Sequence, residues 1–191
     1  KIKNFLTKEE LELFKQYTEI KHRLYLLDPY QESETLHTTW YHGEAITDAL
    51  LVTKKSLIEK EIGKKILPSY SYWRMYTKSD FLEKHRDRPA CEISLSIRVD
   101  GDTDWPLYFD SNEEPKDGEK LDLENGEAVV YLGEKLWHWR DALKGDFQSQ
   151  IFLHFVDKDG PNIIEQCYSA QLTIRLCIGF IPSILVIIGL L

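Results

Sequence analysis

Cys91-Glu92-Ile93-Ser94-Leu95-Ser96-Ile97-Arg98-Val99 alternates apolar with polar side chains along most of its length. Successive side chains of a strand leave opposite faces of a sheet, so this period of two predicts a half-buried strand. Asp100-Gly101-Asp102 then reads as a turn. Working outward, Ser69 to Tyr76 is rich in tyrosine and tryptophan and is β-prone. Leu107-Tyr108-Phe109, Ala128 to Leu132 and Ile151 to Val156 are further short strand segments. Helical patterns lie in front of all of them. Helices first and antiparallel strands afterwards predict an α+β, β-dominated domain, a jelly roll with its N-terminal helices packed outside.

The helices announce themselves at their ends. Thr7-Lys8-Glu9-Glu10 has the spacing of a capping box, in which Thr7 and Glu10 each satisfy the other's free backbone amide. Leu11, Phe14 and Tyr17 follow at helical spacing. A second helix is expected from about Ala45 to Ile62, with Leu50, Leu51, Leu57, Ile58 and Ile62 inward and Gly63 and Pro68 ending it. The stretch from Leu27 to Tyr41 reads as a loop. The acidic stretch from Asp110 to Glu127 lacks calcium-loop spacing and reads as a solvated connection between strands.

Within this frame His85-Arg86-Asp87 stands out. On an extended strand the side chains at i and i+2 share a face, so His85 and Asp87 can reach one point. A distant imidazole would complete two histidines and one carboxylate on one face of a metal, leaving positions open, as in non-heme Fe(II) sites. His138, in Trp137-His138-Trp139-Arg140, is the leading third ligand, and His154 is its rival. The bland alternative is a charged surface turn, since Lys84, Arg86 and Arg88 surround the triplet. A kinase catalytic loop is excluded: Glu92 stands where it needs Asn, and there is neither a glycine-rich loop nor D-F-G. His22, His37 and His42 carry no assigned chemistry.

In this order the segments resemble the prolyl-4-hydroxylase-like branch of the 2-oxoglutarate/Fe(II) oxygenases. The residues that carry the resemblance are Leu67 to Tyr76, Leu82 to Ser94 with His85 and Asp87, Gly126 to Tyr131, His138-Trp139-Arg140, and Phe152 to Asp157. It covers about residues 4–161. It implies a double-stranded β-helix holding iron through His85, Asp87 and His138, with Tyr76 directed toward 2-oxoglutarate. The implied activity is hydroxylation of an unactivated C–H bond, by family default in a prolyl residue, yielding succinate and CO2. Its cofactors and cosubstrates are Fe(II), 2-oxoglutarate and O2, with ascorbate as a reductant. One element departs from the pattern: the family's carboxylate-binding Lys or Arg, about ten residues past the distal histidine, is replaced by Phe147-Gln148-Ser149-Gln150. Arg140 is the leading substitute because it shares a strand face with His138 and its fork grips a carboxylate bidentately. Lys144 is second; Arg74 and Arg98 are more remote. Trp105, Trp137 and Trp139 are either pocket lining or core.

The bulk numbers suit one domain of 191 residues with 42% hydrophobic and 12% aromatic content. A net charge of -8 argues against a nucleic-acid partner and leaves a peptide or small molecule. Three cysteines in no ligand spacing suit a reducing, cytoplasmic setting. The first 161 residues are expected to form the oxygenase domain and residues 162–191 a tail. Leu176 to Leu191 is uncharged and as a helix would span about 24 Å, short of a hydrocarbon core of roughly 30 Å. A C-terminal membrane anchor, a truncated span and an aberrant terminus all fit it, and the start at Lys1 without Met suggests a fragment or a trimmed chain. Two other functional classes stay open, a non-oxidative or inactive jelly-roll metal-binding module and a membrane-tethered interaction protein.

Overall fold

The computed structural model describes residues 1–27 and 38–163. Residues 164–191, which include the apolar segment of the expected tail, and residues 28–37 of the expected loop, with His37, lie outside the described residues. Helix α1 (Lys8–Leu27) opens on the expected capping box: Thr7 N donates to Glu10 Oε2 at 2.8 Å and Glu10 N to Thr7 Oγ1 at 3.2 Å. Helix α2 (Ala45–Ile62) stops at Gly63, whose φ of 70° is the left-handed conformation that glycine adopts without strain. Among the described residues no helix is long and apolar enough to cross a membrane.

Among the described residues nine strands follow or interleave: β1 (Thr39–His42), β2 (Ile66–Thr77), β3 (Leu82–His85), β4 (Ile93–Gly101), β5 (Leu107–Asp110), β6 (Glu119–Leu121), β7 (Ala128–Tyr131), β8 (Trp137–Arg140) and β9 (Phe147–Asp157). They form a five-stranded sheet ordered β1-β2-β9-β4-β7 and a four-stranded sheet ordered β3-β8-β5-β6, antiparallel throughout. This is the expected β-dominated jelly roll.

Three local expectations are corrected. The loop-like reading of Leu27 to Tyr41 missed β1, which pairs along β2. The acidic connection contains β6, which pairs with β5. Cys91 and Glu92 do not begin β4; Pro89–Cys91 is a 3-10 turn, because proline at its first position suits a helical start and holds Arg88 extended.

The larger sheet has two unlike faces. Leu95, Ile97, Leu153, Trp73 and Phe155 pack with Leu51 and Ile58 of α2 and Phe14 of α1 into the main apolar core. The alternate residues face the space between the sheets. There the register aligns Tyr70, His154, Ser94 and Tyr131 in one row across β2, β9, β4 and β7. Two residues along, Tyr72, Phe152 and Ser96 form a second row, and Arg74, Gln150 and Arg98 a third. The interior of the roll therefore sets polar groups beside two smaller apolar clusters, one around Tyr76, Trp105 and Phe152 and one around Leu107, Val129 and Tyr131, and it holds the site.

Candidate metal centre

Strand pairing brings the two imidazoles together. His85, the last residue of β3, lies directly opposite His138 on β8, and their rings are 4.2 Å apart. Asp87 lies just beyond β3, not on it as the extended-strand reading supposed. Its backbone N–H donates to Gly133 O at 2.9 Å, which turns the side chain toward the histidines. Asp87 Oδ1 then sits 3.6 Å from His85 Nε2 and 3.5 Å from His138 Nε2. One ion with bonds of about 2 Å spans donors up to about 4 Å apart.

The tautomers are fixed by the backbone. His85 Nδ1 lies 2.7 Å from Glu83 O, and His138 Nδ1 lies 3.0 Å from Leu136 O. A carbonyl can only accept, so each Nδ1 carries the proton and each Nε2 keeps its lone pair for the site. Burial opposes ionisation of Asp87, but His138 and His85 together outweigh it and hold the carboxyl below its ordinary range. Asp87 raises His85 in turn, against the opposing effect of burial. The donor set of two imidazoles and one carboxylate, with its lone pairs converging, fits a divalent first-row metal.

Behind the carboxylate lies a support that sequence reasoning missed. Ser94 Oγ donates to Asp87 Oδ2 at 2.8 Å and lies 2.9 Å from His154 Nδ1. Gly133 packs against the same bond: a Cβ there would stand 2.3 Å from Asp87 Oδ2 and 2.7 Å from Ser94 Oγ. The alternation of β4 placed Ser94 on the inner face, but nothing in its letters marked it as Asp87's partner. His154, the rival ligand, is buried and neutral, its pKa lowered by burial to about 4. It also falls within ligand distance of Asp87 and Cys91. That second set is the poorer one, because burial lifts the Cys91 thiol to about 11 and Ser94 occupies His154 Nδ1.

The remaining expected residues separate clearly. Tyr76 is buried, with Trp105 at 4.8 Å and the Arg74 guanidinium at 4.4 Å from its ring. Arg140 shares the inner face of β8 with His138, is 3% exposed, donates Nη1 to Trp105 O, and has no carboxylate partner among the described residues. Burial lowers its pKa to about 10, still a cation at neutral pH. Lys144 is exposed in the β8–β9 connection and is not brought to the interior. Of the three tryptophans only Trp105 meets the interior groups. Trp139 stacks on Tyr108 outside, and Trp137 lies under Arg86.

As a sequence the chain matches no family model and no curated protein. Its fold matches solved structures. A Pseudomonas putida prolyl-4-hydroxylase aligns at TM-score 0.59 and 16% identity over 81% of this chain and 90% of that one. HygX from Streptomyces hygroscopicus, with nickel and 2-oxoglutarate bound, aligns at 0.60 and 12% over 82% and 81%. A Burkholderia pseudomallei oxidoreductase of the 2OG-Fe(II) oxygenase family aligns at 0.59 and 12% over 82% and 83%. The chain thus carries the jelly-roll fold of the 2-oxoglutarate/Fe(II) oxygenases.

Proposed function

We propose that this protein is an Fe(II)- and 2-oxoglutarate-dependent dioxygenase that hydroxylates an unactivated C–H bond. Peptidyl proline is the substrate to test first, and succinate and CO2 are the coproducts. The observation that carries the reading is the convergence of His85 Nε2, Asp87 Oδ1 and His138 Nε2, with both histidine Nδ1 protons committed to backbone carbonyls. Three protein ligands on one face leave positions for a chelating cosubstrate and O2. The bound iron would supply the oxygen-activating redox chemistry. The protein's own residues position and neutralise. Arg140, a buried cation lacking a carboxylate, is the partner for the far carboxylate of 2-oxoglutarate, and Tyr76 lines the same interior.

The test is purified protein with Fe(II), O2 and 2-oxoglutarate, with and without prolyl peptides, reading succinate. Succinate should form only when all three are present, and His85→Ala should abolish it. Full metal binding and turnover in His85→Ala would overturn the assignment.

A further inference from the structure

Strand β1 carries two aromatic side chains that the metal centre does not use. Its register sets Trp40 opposite Arg74 and His42 opposite Tyr72, so both rings belong to the inner face of the larger sheet, on its edge strand. Trp40 is 48% exposed, and His42 is exposed beside it. From this edge the rings run inward without a break. Trp40 lies 5.5 Å from His42 and 6.4 Å from Tyr72, while His42 lies 4.4 Å from Tyr72 and 5.7 Å from Tyr70. Tyr72 stacks on Phe152 at 5.5 Å, and Tyr70 meets His154 at 4.5 Å. His154 is hydrogen-bonded to Ser94, which holds Asp87. The wall therefore joins the surface to the candidate metal centre.

Its chemistry selects what lies on it. The rings touch one another at the separations of ordinary aromatic pairs. Among the described residues they leave no gap between them to enclose a cation, as an aromatic cage requires. Arg88 lies over Tyr70 at 4.8 Å. Burial and the Arg88 guanidinium together hold the His42 imidazole below its usual range, so it is an uncharged ring at neutral pH. A guanidinium beside the wall repels a cationic ligand and favours the electron-rich face of a neutral ring. Flat apolar area with ring edges is complementary to an aromatic side chain.

The span of the wall sets a second property. From β1 to β4, which carries Ser94, there are three strand spacings, about 14 Å in all. An extended chain covers about 3.3–3.6 Å per residue, so about four residues bridge that distance. A free amino acid is too short to touch both ends.

We infer that Trp40, with His42 and Tyr72 behind it, is a specificity-determining platform that anchors an aromatic side chain of a peptide substrate, about four residues from the residue oxidised. This rests on the oxygenase reading above and adds to it the class of substrate. The reacting residue lies at the metal, and binding energy gathered at the sheet edge holds it there.

The experiment uses metal-loaded protein without O2 and synthetic Gly/Ser peptides carrying one proline and one phenylalanine at varied separation. Calorimetry should show the tightest binding when the phenylalanine is about four residues from the proline. That peptide should bind roughly tenfold better than its alanine counterpart, the scale of one aromatic contact. Lysine at the same position should bind no better than alanine. Trp40→Ala should erase the preference and Trp40→Phe should keep most of it; Trp40 is half exposed, and thermal unfolding checks that both variants fold. Equal affinity for the phenylalanine and alanine peptides, no binding of any peptide, or a preference that survives Trp40→Ala overturns the platform. A preference for lysine overturns it in favour of a cation site, and a preference indifferent to separation overturns the spacing. Succinate formation separates the two readings. A phenylalanine preference lost in Trp40→Ala, in a protein that makes no succinate, keeps the platform and sinks the oxygenase; succinate formed with no such preference sinks the platform alone.

Discussion

The two faces of the five-stranded sheet are built from the same strands and share almost nothing else. On β4, Leu95 and Ile97 face the helices and are fully buried in the apolar core, while Ser94, Ser96 and Arg98 face the other sheet. On β9, Ile151, Leu153 and Phe155 alternate with Gln150, Phe152 and His154 in the same way. Because the side-chain period is two, a one-residue slip would exchange the sets and bury the chemistry against the helices. The apolar face thus fixes the register on which the polar face depends. Stability and ligand binding should then be separable by mutating residues one position apart.

The largest separation is expected at the metal ligands. His138→Ala should abolish iron binding, since it removes one of the three proposed ligands, yet the helix-side core is untouched and the fold should remain. His154→Ala, on the same inner surface, should leave the metal bound, because His154 is hydrogen-bonded to Asp87 through Ser94 and is not one of the three converging donors. Iron stoichiometry on the two folded variants checks this; metal retained in His138→Ala and lost in His154→Ala would move the centre to the Asp87, Cys91 and His154 set.

Arg140 comes next. Removing one side of a buried charged pair costs on the order of 3–5 kcal/mol, so Arg140→Ala should weaken 2-oxoglutarate binding by more than about a hundredfold while iron still binds. Arg140→Lys should recover only part of the loss, because a point charge does not reproduce the planar fork. Calorimetric titration of the metal-loaded variants decides it. A large effect at Lys144 with none at Arg140 would contradict the placement of Lys144 on the exposed connection.

On the other face the effect should be one of stability alone. Leu95→Ala removes a fully buried side chain from the core and should cost about 2–5 kcal/mol in denaturant unfolding. The 2-oxoglutarate affinity of the folded fraction should stay near that of the unmodified protein. A selective loss of affinity without loss of stability would mean that the two faces are not independent.

How far the sequence carried the structure follows the same division. The apolar face was legible, because alternation in Cys91 to Val99 and helical spacing in Ala45 to Ile62 are period signals that burial imposes directly. The capping box of Thr7 and Glu10 and the stop at Gly63 were legible for the same local reason. Strands β1, β3 and β6 are three or four residues long and sit at sheet edges, so no period can develop in them. The polar face was legible only where residue type itself is diagnostic, as with His85, Asp87 and His138. Ser94 and Gly133 are common letters whose roles come from register across strands far apart in sequence. Replacement of the expected cation by Gln148, Ser149 and Gln150 could be seen in the letters. That Gln150 lies between two arginines could not.

The smallest effect, and the sharpest probe of the boundary between the faces, is expected at Ser94. This residue is adjacent to Leu95 in the chain but faces the candidate metal centre, and its hydroxyl joins Asp87 Oδ2 to His154 Nδ1. With Oδ2 held by Ser94 and confined by the close approach of Gly133, Asp87 offers Oδ1 alone to the histidine side. Partners of this kind orient a ligand, and losing one costs about 10–100-fold in metal affinity. Ser94→Ala should therefore weaken Co(II) binding by that factor and alter its visible absorption, because the freed carboxylate no longer holds one oxygen in place. Unfolding should change little beside Leu95→Ala, since no apolar volume is lost. Ser94→Thr keeps the hydroxyl and should recover affinity if the extra methyl is accommodated. Unchanged Co(II) affinity and spectrum in a folded Ser94→Ala would show that Asp87 is held by Gly133 and the backbone alone.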